Sequence, residues 1–202
     1  MLQGIFGVHV NAGDGPAETL RRVNHAMLRR AIPSRFATVT YGCISSGGRL
    51  TYCNAGHNPP VKVGRGGRRR LVKGGLPLGM FHESGFEEET VQLDCGDVVV
   101  AFTDGITEAL CPDGTEFGEE RLLSCVESHL DLTAAALVDR VLEAVRQFAG
   151  AAAQSDDLTV VVLRYVGTSA GESCAHPREN APIGVARPAR GAPPGEGGGS
   201  TL

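Results

Sequence analysis

Val98-Val99-Val100-Ala101-Phe102-Thr103-Asp104-Gly105 is the stretch on which the reading of this 202-residue chain turns. Residues 98–103 are apolar or β-branched on both alternating faces, the pattern of a central strand covered on both sides. The run then stops on an acid and a glycine, so a carboxylate stands where a buried strand opens into a turn. A second stretch mirrors it: Asp156 and Asp157 directly precede another apolar run, residues 158–165. If the two strands are neighbours, two or three carboxylates meet at one sheet edge, where their mutual repulsion calls for a cation. Oxygen-only donors suit magnesium or manganese better than zinc. The same residues also read as ordinary turn formers, because Asp before Gly and Asp-Asp pairs are common in turns.

Outward from these strands the periodicity is mixed. Residues 16–32 predict a helix, with Leu20, Val23 and Met27 on one stripe, Asp14 and Pro16 as start signals and Pro33 as its end. Residues 35–45 and 49–54 predict a hairpin through Ser46-Gly47-Gly48, and residues 60–63 and 69–72 a second one through Gly64-Arg65-Gly66-Gly67. Residues 86–93 alternate weakly and turn through Cys95-Gly96-Asp97 into the central run. Helices are expected over 119–129 and 133–148, the latter with Thr133 as N-cap, Leu137, Val141, Ala144 and Phe148 on one stripe, and Gly150 just past its end. Connections this short join antiparallel neighbours, so the class is α+β, antiparallel sheet layered with helices.

Composition narrows the function. Hydrophobic residues make up 42% and charged residues 21%, ordinary for a globular chain. No apolar run approaches the roughly 18 residues of a membrane-spanning helix, and the N-terminus lacks the basic and apolar regions of a signal peptide, so a cytoplasmic protein is expected. A net charge of -4 and the absence of tryptophan argue against nucleic-acid binding. Glycine and proline are concentrated in residues 167–202, where they fill 13 of 36 positions, and that segment is expected to be a disordered tail behind a domain of residues 1–166. The six cysteines form no CxxC pair, which points to reduced thiols rather than zinc or disulfides.

Further segments then fall into a familiar order. Phe36-Ala37-Thr38, Tyr52-Cys53-Asn54-Ala55-Gly56-His57-Asn58-Pro59-Pro60, Gly75-Leu76-Pro77-Leu78-Gly79, Gly96-Asp97, Phe102-Thr103-Asp104-Gly105-Ile106-Thr107-Glu108-Ala109, Phe117-Gly118 and Ser155-Asp156-Asp157-Leu158-Thr159 follow one another along the chain. The set resembles the SpoIIE-like branch of the metal-dependent (PPM-type) serine/threonine protein phosphatases, from about residue 3 to residue 166. The resemblance implies an α-β-β-α sandwich of two antiparallel sheets flanked by helices, with a two-metal centre of manganese or magnesium at one end. It implies that Asp104 and Asp156 are metal ligands, with Asp157 a weaker third candidate. It also implies hydrolysis of phosphoserine or phosphothreonine on a bacterial regulatory protein, an anti-sigma-factor antagonist in type, by a metal-activated water.

One part of the family pattern is missing from the sequence. No Gly-Asp-Val-x-Gly-x-Gly segment, whose aspartate bridges both metals in the family, occurs here. The Gly13-Asp14 pair leads straight into the next helix and reads as a loop or cap. The expectation is therefore an N-terminally truncated domain, the C-terminal portion of a phosphatase, with one metal site incomplete and little activity of its own. The alternative is a non-catalytic pseudophosphatase module that binds a phosphoprotein or sigma-regulatory partner. Of the remaining candidates, His57 reads as a turn lock, the six basic residues between Lys62 and Lys73 as a solvated hairpin or a guide for an acidic partner, and Glu87-Glu88-Glu89 as a charged strand edge. Gly75, Gly79 and Gly105 read as positions of unusual backbone or close approach.

Overall fold

Along Val98–Phe102 the side chains divide between two cores. Val98, Val100 and Phe102 are buried against Leu122, Leu123, Val126, Leu137, Val141 and Val145 of two helices, whereas Val99 packs with Leu50, Tyr52, Leu71, Val91 and Leu93. Alternation in a strand covered on both faces produces this split. A computed structural model describes residues 2–10, 13–29, 36–154, 156–167 and 181–182. In chain order the elements are α1 (Leu2–His9), α2 (Pro16–Arg29), β1 (Val39–Ile44), β2 (Arg49–Ala55), β3 (Val61–Gly64), β4 (Gly67–Arg70), β5 (Gly74–Gly75), β6 (Glu89–Gln92), β7 (Val98–Phe102), α3 (Asp104–Thr107), α4 (Gly118–Glu127), α5 (Ala134–Ala149), β8 (Val160–Arg164) and β9 (Ala181–Pro182).

Two sheets result. One has the order β5-β2-β1-β9, with β6 also pairing β2; the other runs β4-β3-β7-β8. All pairings are antiparallel except β2 with β5. Strand β2 divides as β7 does: Leu50 and Tyr52 enter the core between the sheets, while Cys53 and Ala55 pack under Leu20 and Val23 of α2 and Ile5 of α1. The order of layers is thus α1/α2, first sheet, second sheet, α4/α5, an α-β-β-α sandwich with three apolar seams.

Local chemistry sets the element ends. Thr133 accepts a hydrogen bond from the Ala136 N–H (3.2 Å) and Gly150 follows α5 with φ +55°, as expected of that helix. The start of α2 differs from expectation. Its Ala17 N–H donates to the Glu88 carboxylate (2.9 Å), which satisfies an orphan donor and complements the helix dipole from 71 residues away. Asp14 instead pairs with Arg22 (2.9 Å). Gly15 leaves room for this carboxylate, since a Cβ on it would lie 2.4 Å from a Glu88 oxygen and push that side chain aside.

Several boundaries also shift. Helix α1 was not legible in the sequence, the strand expected over 35–45 begins only at Val39, and the second hairpin strand is Gly67–Arg70. The last three residues of the helix expected over 16–32, and Pro33 expected to end it, lie outside the described residues. Most of the tail expected over 167–202 likewise lies outside them; Ala181–Pro182 pairs with β1. Among the described residues no helix is long and apolar enough to cross a membrane, and five cysteines are free thiols.

The charged hairpin is exposed, as expected, and its side chains are also paired. Arg68 bonds Glu120 and Glu127 (2.7 Å each), Arg70 reaches Glu119, Arg69 meets Glu89 (2.8 Å), Lys73 meets Glu87 and Lys62 meets Asp97 (2.8 Å). The basic hairpin is therefore a strut from the second sheet to α4 and β6. Glu87, Glu88 and Glu89 all have partners too, Glu89 accepting from the Tyr52 hydroxyl at 2.6 Å.

Candidate metal centre

The end of β7 and the approach to β8 are bound together by one threonine. Phe102 pairs with Val160, and beyond that pair the Thr103 N–H donates to the Thr159 carbonyl (3.0 Å). The Thr103 hydroxyl donates to the Asp157 carbonyl (3.2 Å) and accepts from the Thr159 N–H (3.2 Å). Gly105 completes the contact: a Cβ there would stand 2.4 Å from the Asp157 carbonyl oxygen and 3.4 Å from the Asp156 Cβ. Asp104, at the first position of α3, and Asp156 and Asp157, ahead of β8, are thus brought to one edge of the second sheet. All three are exposed.

Asp104 and Asp156 share a local geometry. One Asp104 oxygen accepts from the following Gly105 N–H (3.1 Å) and one Asp156 oxygen from the following Asp157 N–H (2.7 Å). Among the described residues neither carboxylate is in an ion pair, so one oxygen of each is uncommitted. Asp157 contributes chiefly backbone, its carbonyl held by Thr103. The donor chemistry suits a hard divalent cation. The set is partial, however, because among the described residues no three His, Cys, Asp or Glu side chains are grouped so as to hold a metal ion.

The first sheet supplies the facing wall. Buried Asn54, near the end of β2, accepts from the His57 N–H (2.8 Å) and donates to the His57 carbonyl (2.8 Å). The turn lock is therefore Asn54, not the His57 ring as the sequence suggested. That ring lies 3.3 Å from the Thr38 hydroxyl. Burial lowers its pKa from 6.5, and the negative charge of Asp104 works in the opposite direction. The two strand ends therefore sense one another across the sheets. Sequence reading missed Asn54 and Thr103 as positioning groups. The available signal was their place at strand ends, Asn54 three residues before His57 and Thr103 directly before Asp104.

Two antiparallel sheets between helical layers, with aspartates at one sheet edge, define the PPM phosphatase fold. The PP2C phosphatase domain of SpoIIE from Bacillus subtilis has this fold and superposes with a TM-score of 0.62 at 20% identity, covering 81% of this chain and 47% of that one. The chain belongs to the SpoIIE family: the model for Stage II sporulation protein E matches residues 1–166. Among curated relatives, Phosphoserine phosphatase RsbU of Bacillus subtilis is 26% identical over 155 residues, covering 75% of this chain and 46% of its own length. Protein IcfG of Synechocystis sp. is 30% identical over 130 residues, 63% of this chain and 20% of its own length. The chain thus spans less than half the length of these relatives.

Proposed function

We propose that this chain carries the Asp104 and Asp156 side of the centre of a metal-dependent phosphatase. Its substrates are phosphoserine or phosphothreonine on a cytoplasmic bacterial regulatory protein of the anti-sigma-factor-antagonist type. The observation that supports the reading is the Thr103–Gly105 clamp, which holds the Asp104 and Asp156 backbones at one sheet edge, each side chain with a free oxygen. Asp104 and Asp156 would hold manganese or magnesium, and Asp157 would fix the backbone behind them. When bound, the cation supplies a water acidic enough to attack phosphorus at neutral pH. The protein's own part is to orient the carboxylates through backbone N–H groups and to keep His57 from charging readily beside them.

Two carboxylates complete at most one cation site, so the 202-residue chain alone turns over a phosphoserine peptide slowly or not at all. Manganese titration followed by electron paramagnetic resonance tests the ligands: one site is expected, lost in Asp104→Asn and in Asp156→Asn. Equal binding in either variant overturns the assignment, and ordinary turnover abolished by Asp104→Asn overturns the incompleteness. The donor set among the described residues, which groups no three metal-ligating side chains, also favours a second reading, a non-catalytic module that engages the phosphoprotein. Partner binding that persists undiminished in chelator selects it.

A further inference from the structure

The outer face of the α1/α2 layer carries a cleft of about 440 Å³ that belongs to the first sheet's helices, not to the β7–β8 edge. Its lining is His9 at the end of α1, Arg22, His25 and Arg29 on α2, and His82 in the segment between β5 and β6. The three α2 residues recur at helical spacing on one stripe. Every lining side chain is a nitrogen donor and none is a carboxylate. Three separate segments therefore converge to place two guanidiniums and three imidazoles around one space.

The far wall is held from below. Asn24, 1% exposed, donates to the Phe81 carbonyl (2.9 Å) and accepts from the Gly79 N–H (2.7 Å). The Ser84 hydroxyl adds a bond to the same Phe81 carbonyl (3.2 Å). His82 is thus fixed beside α2 by a buried amide rather than left on a free loop. Arg22 is oriented by Glu18 and Asp14, both at 2.9 Å, and Glu18 also takes Arg21. Among the described residues the Arg29 guanidinium and the three imidazoles have no hydrogen bond or ion pair. Arg22 shares its charge with Glu18 and Asp14, so Arg29 and the three imidazoles supply the uncommitted donors of the lining.

A fork-shaped guanidinium matches the oxygens of phosphate, and the free Arg29 together with three imidazoles converging from three segments can surround such an oxyanion on several sides. We propose that this cleft binds a phosphate-class oxyanion, carried either by a small phosphorylated molecule or by a phosphorylated side chain. The proposal does not rest on the phosphatase reading, since none of its residues touches Asp104 or Asp156.

The test titrates the full chain, in EDTA and at constant ionic strength, with inorganic pyrophosphate in one arm and a phosphoserine peptide in the other, while recording histidine ring protons by NMR. Expected are saturable shifts of His9, His25 and His82 with His57 and His129 unmoved. The tighter arm identifies the source. Arg29→Ala combined with His25→Ala, both exposed positions, weakens the tighter probe tenfold or more without changing the melting temperature. Shifts spread over all histidines, absence of saturation in both arms, a smaller loss in the double variant, or loss of binding in Asp104→Asn overturns the proposal.

Discussion

Replacing Gly105 by alanine tests the clamp that brings Asp104 and Asp156 together. The added methyl would lie 2.4 Å from the Asp157 carbonyl oxygen and 3.1 Å from its carbon, against an ordinary contact starting at 3.4 Å. Both obstacles are backbone, so no rotamer change relieves them and the two segments must part by about 1 Å. That movement draws the Asp157 carbonyl away from the Thr103 hydroxyl, now at 3.2 Å. Overpacking costs about 1–3 kcal/mol and the lost hydrogen bond about 1 kcal/mol. Alanine regains up to about 1 kcal/mol over glycine in a helical turn, so the clash wins by about 1–3 kcal/mol. For a chain of this size that lowers the melting temperature by about 2–12 °C. Manganese affinity should fall along with it, because the carboxylates are carried apart. Calorimetry and manganese titration of the variant read both effects. Gly85→Ala is the control, since nothing lies within 4 Å of its added methyl. A Gly105→Ala protein that melts and binds manganese like the parent would refute the reasoning.

Two other perturbations probe the frame around the site. Lys62 pairs with Asp97 at 2.8 Å, with side chains 19% and 5% exposed. Lys62→Met strands that carboxylate and should cost about 3 kcal/mol, the low end for a broken buried pair because the lysine retains some water; an unfolding free energy from urea within about 1 kcal/mol of the parent would count against the pair. His57 should titrate below 6.5 by NMR, and below its parent value again in Asp104→Asn, where the opposing charge is gone. The folded chain favours the neutral ring, so its contribution to stability is complete above about pH 6.5 and is lost as pH falls toward the folded-state value. An unmoved or raised His57 titration in that variant would show that the two strand ends do not face each other.

The second sheet was legible in the sequence through β7 and β8, which are apolar on both faces, a pattern that survives without tertiary information. Val98–Phe102 and the run after Asp157 could be placed, and with them the aspartates at their ends. What escaped reading depends on partners distant in sequence. Nothing near Pro16 reveals that Glu88 caps α2, and nothing within residues 62–73 reveals that its arginines reach Glu119, Glu120 and Glu127 of α4. Short β5 has too few residues for any period to show. Its register depends instead on Gly74 lying close enough to Asn54 that a Cβ would stand 1.7 Å from the Asn54 carbonyl oxygen. Helix α1 buries Ile5 but carries glycines at positions 4 and 7, which dilute any helical signal.

The two walls of the candidate centre are set by different means. Asp104 and Asp156 are placed within the second sheet alone, by Thr103, Gly105 and the last pair of the β7–β8 ladder. His57 is placed within the first sheet, by Asn54. The seam between the sheets, with Tyr52, Leu71 and Leu93 in its core and the Arg69–Glu89 pair and the Tyr165–Ser46 hydrogen bond across it, fixes one wall against the other. Cation affinity is then a property of one sheet edge, whereas the electrostatic coupling of His57 to Asp104 is a property of the seam. A substitution that loosens the seam without unfolding the chain should weaken that coupling while the carboxylates keep their mutual geometry. A substitution in the clamp should do the reverse, so the two parts of the site can be altered separately.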